Sequence, residues 1–320
     1  MNHLFEYIRK HNGDSSSASI EAAWANIAGS PANQEESGDL ERIPVEEVHV
    51  EAASRIVFHG DPSSSGADRF RLLRMRLRDI QNQTKLRTLL VTSPLPHDGK
   101  STVALNLTTA LAQRGKNRVL LVEGDLHHAC LSSRLGLKAQ AGLSECIESA
   151  LDPLSAIRRL EPLGFYLLAA GQPRRNPTEL LQTEALAGTL QKLRPYFDWI
   201  VIDSPPVLPL TDALLLQQQA DASLLVARAG RTPSEAVDEA IALLGRKHVL
   251  GIVLNCAERL GRLYSTYYYA APYYTQRGST EWTECKRNRR QGFNPSRTFN
   301  NRSTATIITV WLFASLSGGL

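Results

Sequence analysis

The chain has 320 residues, 42% of them apolar and 21% charged, a balance that excludes a collagen-like or wholly disordered polymer and leaves room for one large domain or two modest ones. Its formal charge of +4 is unevenly spread: between Arg277 and Arg302 seven basic residues face two acidic ones, giving that stretch +5 and the rest of the chain −1. A near-neutral body argues against a nucleic-acid-binding face.

The four cysteines, Cys130, Cys146, Cys256 and Cys285, form no CxxC pair, which predicts neither a disulfide framework nor a zinc site and fits a reducing compartment. The most apolar stretch, Ala305 to Leu316, has 12 residues with two Thr and one Ser among them, short of the ~20 that span a bilayer. The charged start, MNHLFEYIRK, lacks the apolar core of a signal peptide. The composition reads as cytoplasmic, with no membrane anchor of its own.

In chain order, Leu4 to Lys10 has the spacing of a short amphipathic helix. The runs SSSAS, SPANQEESGD and DPSSSG follow, and residues 1–60 are predicted to be mostly disordered linker. Asp68 to Asp79 reads as a helix, with Phe70, Leu73 and Leu77 three and four residues apart. From residue 88 onward short apolar runs alternate with helix-period segments. Leu89 to Thr92, Val119 to Val122, Tyr166 to Ala169, Trp199 to Ile202, Ser223 to Ala227 and Gly251 to Leu254 read as buried strands. Helices are predicted near 101–114, 178–193, 211–219 and 233–246. Strands separated by helices imply an α/β domain with a doubly wound, mainly parallel sheet, placed at residues 61–258. Arg158, Arg159, Arg174 and Arg175 read as solvated loop or helix charges. Residues 259–277 form a tyrosine-rich tail holding six of the nine tyrosines, and residues 278–320 a basic tail expected to be disordered.

The strongest motif is Ser93-Pro94-Leu95-Pro96-His97-Asp98-Gly99-Lys100-Ser101-Thr102, set between a predicted strand and a predicted helix. Backbone N–H groups of such a loop and of the helix start hold phosphate oxygens, because those donors are unpaired and the helix dipole is positive there. Gly99 lets the backbone come close, Lys100 supplies a point charge, and Ser101 offers a hydroxyl to Mg²⁺. Pro94 stands where GxxxxGK[ST] has its first glycine. Two acidic strand ends accompany the loop: WIVID ending at Asp203, and VLLVEGD ending at Glu123 and Asp125. In a doubly wound sheet the strand C-terminal ends line the ligand crevice, so three carboxylates are predicted to converge on one metal–nucleotide.

This combination resembles the bacterial tyrosine kinases of capsule and exopolysaccharide synthesis, a branch of the P-loop ATPases related to MinD and ParA. The resemblance covers about residues 54–275. It rests on SPLPHDGKST, LLVEGDLHH, WIVIDSPP, TDALLLQQQAD and the terminal tyrosine cluster, and upstream on Asp68-x-x-Arg71-x-x-Arg74, which is similar to the family's subunit-joining motif. It implies ATP and Mg²⁺ as cofactors, with the nucleotide on Pro96, His97, Asp98, Gly99, Lys100, Ser101 and Thr102 and with Asn255 on the adenine side. Ser101, Asp125 and Asp203 would arrange the metal, Lys100 would stabilise developing charge, and Asp125, assisted by Glu123, would accept the proton of an incoming tyrosine. Tyr264, Tyr267, Tyr268, Tyr269, Tyr273 and Tyr274 would be the acceptors in trans; Tyr274 lies 19 residues past Asn255, a reach of up to roughly 60 Å. The implied partners are a second copy in a ring, through Asp68, Arg71 and Arg74, and a separate transmembrane chain-length protein that activates the kinase and recruits it to the inner membrane face.

Where the family has Asp-x-Asp-x-Arg, this chain has Glu123-Gly124-Asp125-Leu126-His127. That difference keeps open a nucleotide-binding regulator without turnover. A MinD- or ParA-type ATPase switch is the other alternative, although the loop lacks their signature lysine before Lys100.

Overall fold

The computed structural model describes residues 38–50, 55–60, 62–115, 117–257 and 309–312. The predicted helix at Leu4 to Lys10, the tyrosine cluster and most of the basic tail lie outside these residues. The strands are β1 (Val45–Glu47), β2 (Thr88–Thr92), β3 (Val119–Glu123), β4 (Ile157–Glu161), β5 (Phe165–Leu168), β6 (Trp199–Asp203), β7 (Ala222–Arg228), β8 (Val249–Asn255) and β9 (Thr309–Leu312), forming one sheet in the order β1-β4-β5-β3-β6-β2-β7-β8-β9. The six strands predicted from apolar runs are the six central ones, and every pairing among them is parallel. The doubly wound, mainly parallel sheet is therefore the observed architecture.

The outer strands are of another kind. Within β4 only Ile157 and Leu160 are buried, Arg158, Arg159 and Glu161 being half-buried or exposed, and the strand runs antiparallel to β5. Arg159 and Glu161 pair with each other at 2.9 Å, so the two arginines read as loop or helix charges belong to a strand near the sheet edge. Residues 38–60, inside the span read as mostly linker, carry a helical turn at 38–41, β1 beside β4, and helix α1 (Val57–Gly60). Asn106, fully buried, fastens that segment by accepting the Val57 N–H at 2.8 Å and donating to the Arg55 carbonyl at 2.9 Å. At the other edge β9 pairs antiparallel with β8.

Helix α2 (Ser65–Gln83) starts at Ser64, whose hydroxyl accepts the Ala67 N–H, a side-chain N-cap. Phe70, Leu73 and Leu77 form its buried stripe and pack, with the apolar side of α3 (Lys100–Ala112), on one face of the sheet beside Leu89, Val91, Val119 and Leu121. The alternate residues Leu90, Leu120 and Val122 face the opposite side. There they meet α5 (Leu143–Glu148), α7 (Pro177–Leu181), α8 (Glu184–Leu193) and α9 (Asp212–Gln217), while α10 (Ser234–Leu244) covers Leu225 and Val249. Short helices α4 (Leu131–Arg134) and α6 (Pro153–Ala156) complete the set used below. Two-sided burial explains why the central strands are continuous apolar runs.

Candidate active site

The chain winds away from β2 in both directions, with β6 and β3 on one side and β7 and β8 on the other. Their C-terminal ends open the crevice expected at such a switch point. The loop from Ser93 to Gly99 leaves the end of β2 and turns into α3, whose first residue is Lys100. Gly99 has φ +97°, and a Cβ there would meet the Asn255 Nδ2 at 2.1 Å, so only glycine fits. Pro96 and His97 are exposed at the crown of the loop. Asp98 points inward instead: its carboxylate accepts the Leu95 N–H at 3.2 Å and the Thr232 hydroxyl at 2.7 Å, and its carbonyl accepts from Asn255 Nδ2 at 2.9 Å. Asp98 and Asn255 thus shape the phosphate loop from beneath. Asn255, expected on the adenine side, sits against the loop, its Nδ2 donating to the Asp98 carbonyl and its Oδ1 accepting the Cys256 N–H.

The first turn of α3 carries Lys100, Ser101 and Thr102. Its leading N–H groups have no partners within the helix, which suits phosphate oxygens at this positive dipole end. Lys100 Nζ lies 2.9 Å from Asp125 Oδ2 and 3.3 Å from the Ser101 hydroxyl. Burial opposes the Lys100 charge, but the carboxylates of Asp203 and Asp125 outweigh it and hold the ammonium above its usual pKa. Asp203, ending β6, has both carboxylate oxygens buried without a hydrogen-bond partner. Burial pushes its pKa up to about 7, against the pull of Lys100 and of the nearby Ser101 hydroxyl, which makes no hydrogen bond of normal geometry to Asp203; Asp125 and Glu123 push it further up. An unpartnered, buried carboxylate beside a phosphate loop is a fit for Mg²⁺, which is commonly held by one or two carboxylates plus phosphate oxygens and water. Among the described residues no three His, Cys, Asp or Glu side chains gather into a cage.

Asp125 reaches this point because Gly124 lets β3 close on β6. The Gly124 N–H donates to the Asp203 carbonyl at 2.7 Å, and a Cβ at 124 would lie 2.9 Å from Leu216 Cδ1 and 3.0 Å from that carbonyl. Gly124→Ala is expected to spread the two strand ends, costing about 1–3 kcal/mol of stability and misplacing Asp125; thermal melting and nucleotide binding would register both effects. Asp125 is held by the His128 N–H at 3.0 Å and by Lys100. Glu123 lies close by but turns elsewhere: Oε1 accepts the N–H groups of Cys130 and Leu131, both at 2.6 Å, and Oε2 that of Ala170 at 3.1 Å. The role of assistant base expected for Glu123 has no support in this geometry, because its oxygens are spent on backbone amides.

Several contacts were not expected. His127 Nε2 lies 3.0 Å from Asp212 Oδ2, and the Thr178 hydroxyl donates to Asp212 Oδ1 at 2.7 Å, so this buried aspartate ties the loop after β3 to the starts of α7 and α9. Arg174, read as solvated, pairs with Glu145 and Glu148. Burial, and secondly Asp203, push the Cys130 thiol up, which keeps it protonated at neutral pH.

Asp68, Arg71 and Arg74 do not join this site. Arg71 pairs with Asp68 at 2.8 Å, donates to the Pro62 carbonyl and stacks over Phe58, while Arg74 donates to the Ala110 carbonyl and Gln113 Oε1 near the far end of α3. At 1.5 Å per residue, Ala110 is about 15 Å along the helix from Lys100.

No protein-family model matches the chain. It is 31% identical over 174 residues to the tyrosine-protein kinase CpsD of Streptococcus pneumoniae serotype 4, covering 53% of this chain and 76% of that protein. To the tyrosine-protein kinase ptk of Acinetobacter johnsonii it is 30% identical over 185 residues, 58% of this chain but 25% of the relative, so it spans about a quarter of that protein's length. Among solved structures, the kinase domain of the Escherichia coli tyrosine kinase ETK matches with a TM-score of 0.57 and 28% identity, covering 60% of this chain and 74% of that one. Identity at this level over most of the streptococcal protein is kinship as well as shared fold, and the chain belongs to the bacterial tyrosine-protein kinases.

Proposed function

We propose that the chain is an ATP-dependent protein-tyrosine autokinase that phosphorylates its own tyrosine cluster, Tyr264 to Tyr274, in trans and thereby regulates the polymerisation and export of a capsular or extracellular polysaccharide. The observation that supports this reading best is the convergence of Lys100, Asp125 and Asp203 at the mouth of the phosphate loop, with the 2.9 Å Lys100–Asp125 pair and two unpartnered Asp203 oxygens.

Phosphoryl transfer asks the protein mainly for position and charge compensation. The α3 amides and Lys100 would bind the β and γ phosphates of ATP. The tyrosine oxygen would form its bond to the γ phosphorus as the bond to the bridging oxygen breaks, its proton passing to Asp125 and the bond electrons staying with ADP. Mg²⁺, held through Ser101, Asp125 and Asp203, would neutralise charge on the phosphate oxygens. Phosphotyrosine adds about −1.5 to −2 each, so a phosphorylated cluster would leave a neighbour's acidic crevice and loosen a ring joined through Asp68, Arg71 and Arg74. Among the described residues no helix is long and apolar enough to cross a membrane. We place the kinase in the cytoplasm, held to the inner membrane face by a separate transmembrane activator.

Antibody detection of phosphotyrosine, with and without such an activator's cytoplasmic segment, tests the reading. The variant with all six cluster tyrosines changed to Phe is expected to lose the signal while retaining ATP binding. A signal of undiminished strength in that variant would place the acceptor elsewhere.

A further inference from the structure

The loop that follows β3 is fastened at two places. Near its start Asp125 is fixed by Lys100 and by the His128 N–H. Farther along, Glu123 reaches past Asp125 and takes the N–H groups of Cys130 and Leu131, where α4 begins, together with the Ala170 N–H at the end of β5. A carboxylate accepting several backbone donors is a strong, charge-assisted anchor, and an aspartate at this position would be one methylene short of those amides. One turn later on α4, Arg134 Nη2 donates to the Thr102 hydroxyl at 3.0 Å. Thr102 lies in the first turn of α3, so the guanidinium is held at the phosphate end of that helix.

We propose that Glu123 is a positioning residue and that it forms, with Arg134, a clasp holding α4 against the phosphate loop, so that Arg134 sets the Thr102 hydroxyl and adds positive charge where the nucleotide phosphates bind. The clasp rests on the ATP site proposed above. It replaces the expectation that Glu123 helps take the tyrosine proton, and it gives the longer side chain of this chain's Glu-x-Asp pair a purpose.

The test is binding of a fluorescent ATP analogue with Mg²⁺, a measurement that needs no kinase turnover, combined with ATP KM and kcat of the activated chain. Arg134→Gln and Thr102→Val should each weaken ATP binding by about tenfold, the loss of one charge-assisted hydrogen bond. Glu123→Asp should do the same, and kcat at saturating ATP should stay within about threefold of the unmodified chain, since the clasp stabilises the bound ground state and the transition state alike. Glu123→Asp combined with Arg134→Gln should weaken binding by about tenfold, not a hundredfold, because both act through the placement of α4. A hundredfold fall in kcat with unchanged ATP affinity in Glu123→Asp would overturn the proposal in favour of Glu123 as base. Multiplicative losses would overturn it as well. Arg134→Gln keeps Glu123 and its amides in place, so unchanged ATP affinity in that variant refutes the clasp even if Glu123→Asp fails to fold. Failure of the unmodified chain to bind the analogue would instead remove the nucleotide site itself.

Discussion

Lys100→Met is expected to lower phosphotyrosine formation by roughly 10²- to 10³-fold, the usual loss when one group stabilising transition-state charge is removed. Methionine keeps the length and apolar stem of the side chain and deletes only the ammonium. That ammonium has two jobs here. It faces the phosphate end of α3, and it sits between the buried Asp125 and Asp203 carboxylates, whose attraction outweighs the burial that opposes its charge. Breaking a buried ion pair by removing one partner typically costs about 3–5 kcal/mol, since the remaining charge is stranded. Reduced thermal stability at neutral pH is therefore expected alongside the lost activity. Circular dichroism separates the two effects, because a variant that is folded at the assay temperature and still inactive has lost chemistry and not structure. Activity within tenfold of the unmodified chain would mean that phosphoryl transfer does not depend on this ammonium.

The amino-acid sequence disclosed the centre of the sheet better than its margins, for a physical reason. A strand buried on both faces must be apolar throughout, and Val119 to Val122 or Trp199 to Ile202 cannot be mistaken for surface. Val45-Glu46-Glu47 and Ile157-Arg158-Arg159-Leu160-Glu161 lie near an edge, where charged residues are tolerated and useful against edge pairing, so they looked like loops. The same division applies to the site. Phosphate-loop spacing and acidic strand ends are local patterns, and they located Lys100, Asp125 and Asp203. The direction of a carboxylate is not local: Glu123 finds its partner amides seven, eight and 47 residues away, and Asp98 meets Thr232 across 134 residues. Asp212 enters the sequence reading only as part of the run TDALLLQQQAD, although its contacts with His127 and Thr178 knit three elements together beside the crevice.

The second large effect is expected at Asp203, where catalysis and stability oppose each other. Its carboxyl has an ordinary pKa of 3.8, raised by burial to about 7 in the fold. Below pH 3.8 the group is neutral in both folded and unfolded chains and costs nothing. As the pH rises toward 7 the unfolded chain releases a proton that the folded chain retains, so stability falls, and above 7 the loss is complete. At 1.36 kcal/mol per pKa unit the accumulated penalty is on the order of 4 kcal/mol. Asp203→Asn cannot ionise, and it should therefore stabilise the nucleotide-free protein at pH 8 while changing it little near pH 4. The attraction of Lys100 is already contained in that raised pKa, so the gain at pH 8 is of the same order as the penalty, on the order of 10 °C in melting temperature for a domain of this size. An equal gain at pH 4 and pH 8 would show that a titrating carboxylate is not the cause. In the same variant the stabilisation conferred by ATP with Mg²⁺ should shrink and phosphotyrosine formation should fall by at least about a hundredfold, because the oxygens left unpartnered in the fold are the ones offered to the metal. The double variant Lys100→Met/Asp203→Asn removes both charges at once. It should recover part of the stability lost in Lys100→Met without recovering any activity, since one of the two stranded carboxylates is gone while Asp125 remains, and Lys100 and Asp203, which serve the phosphates and the metal, are both absent.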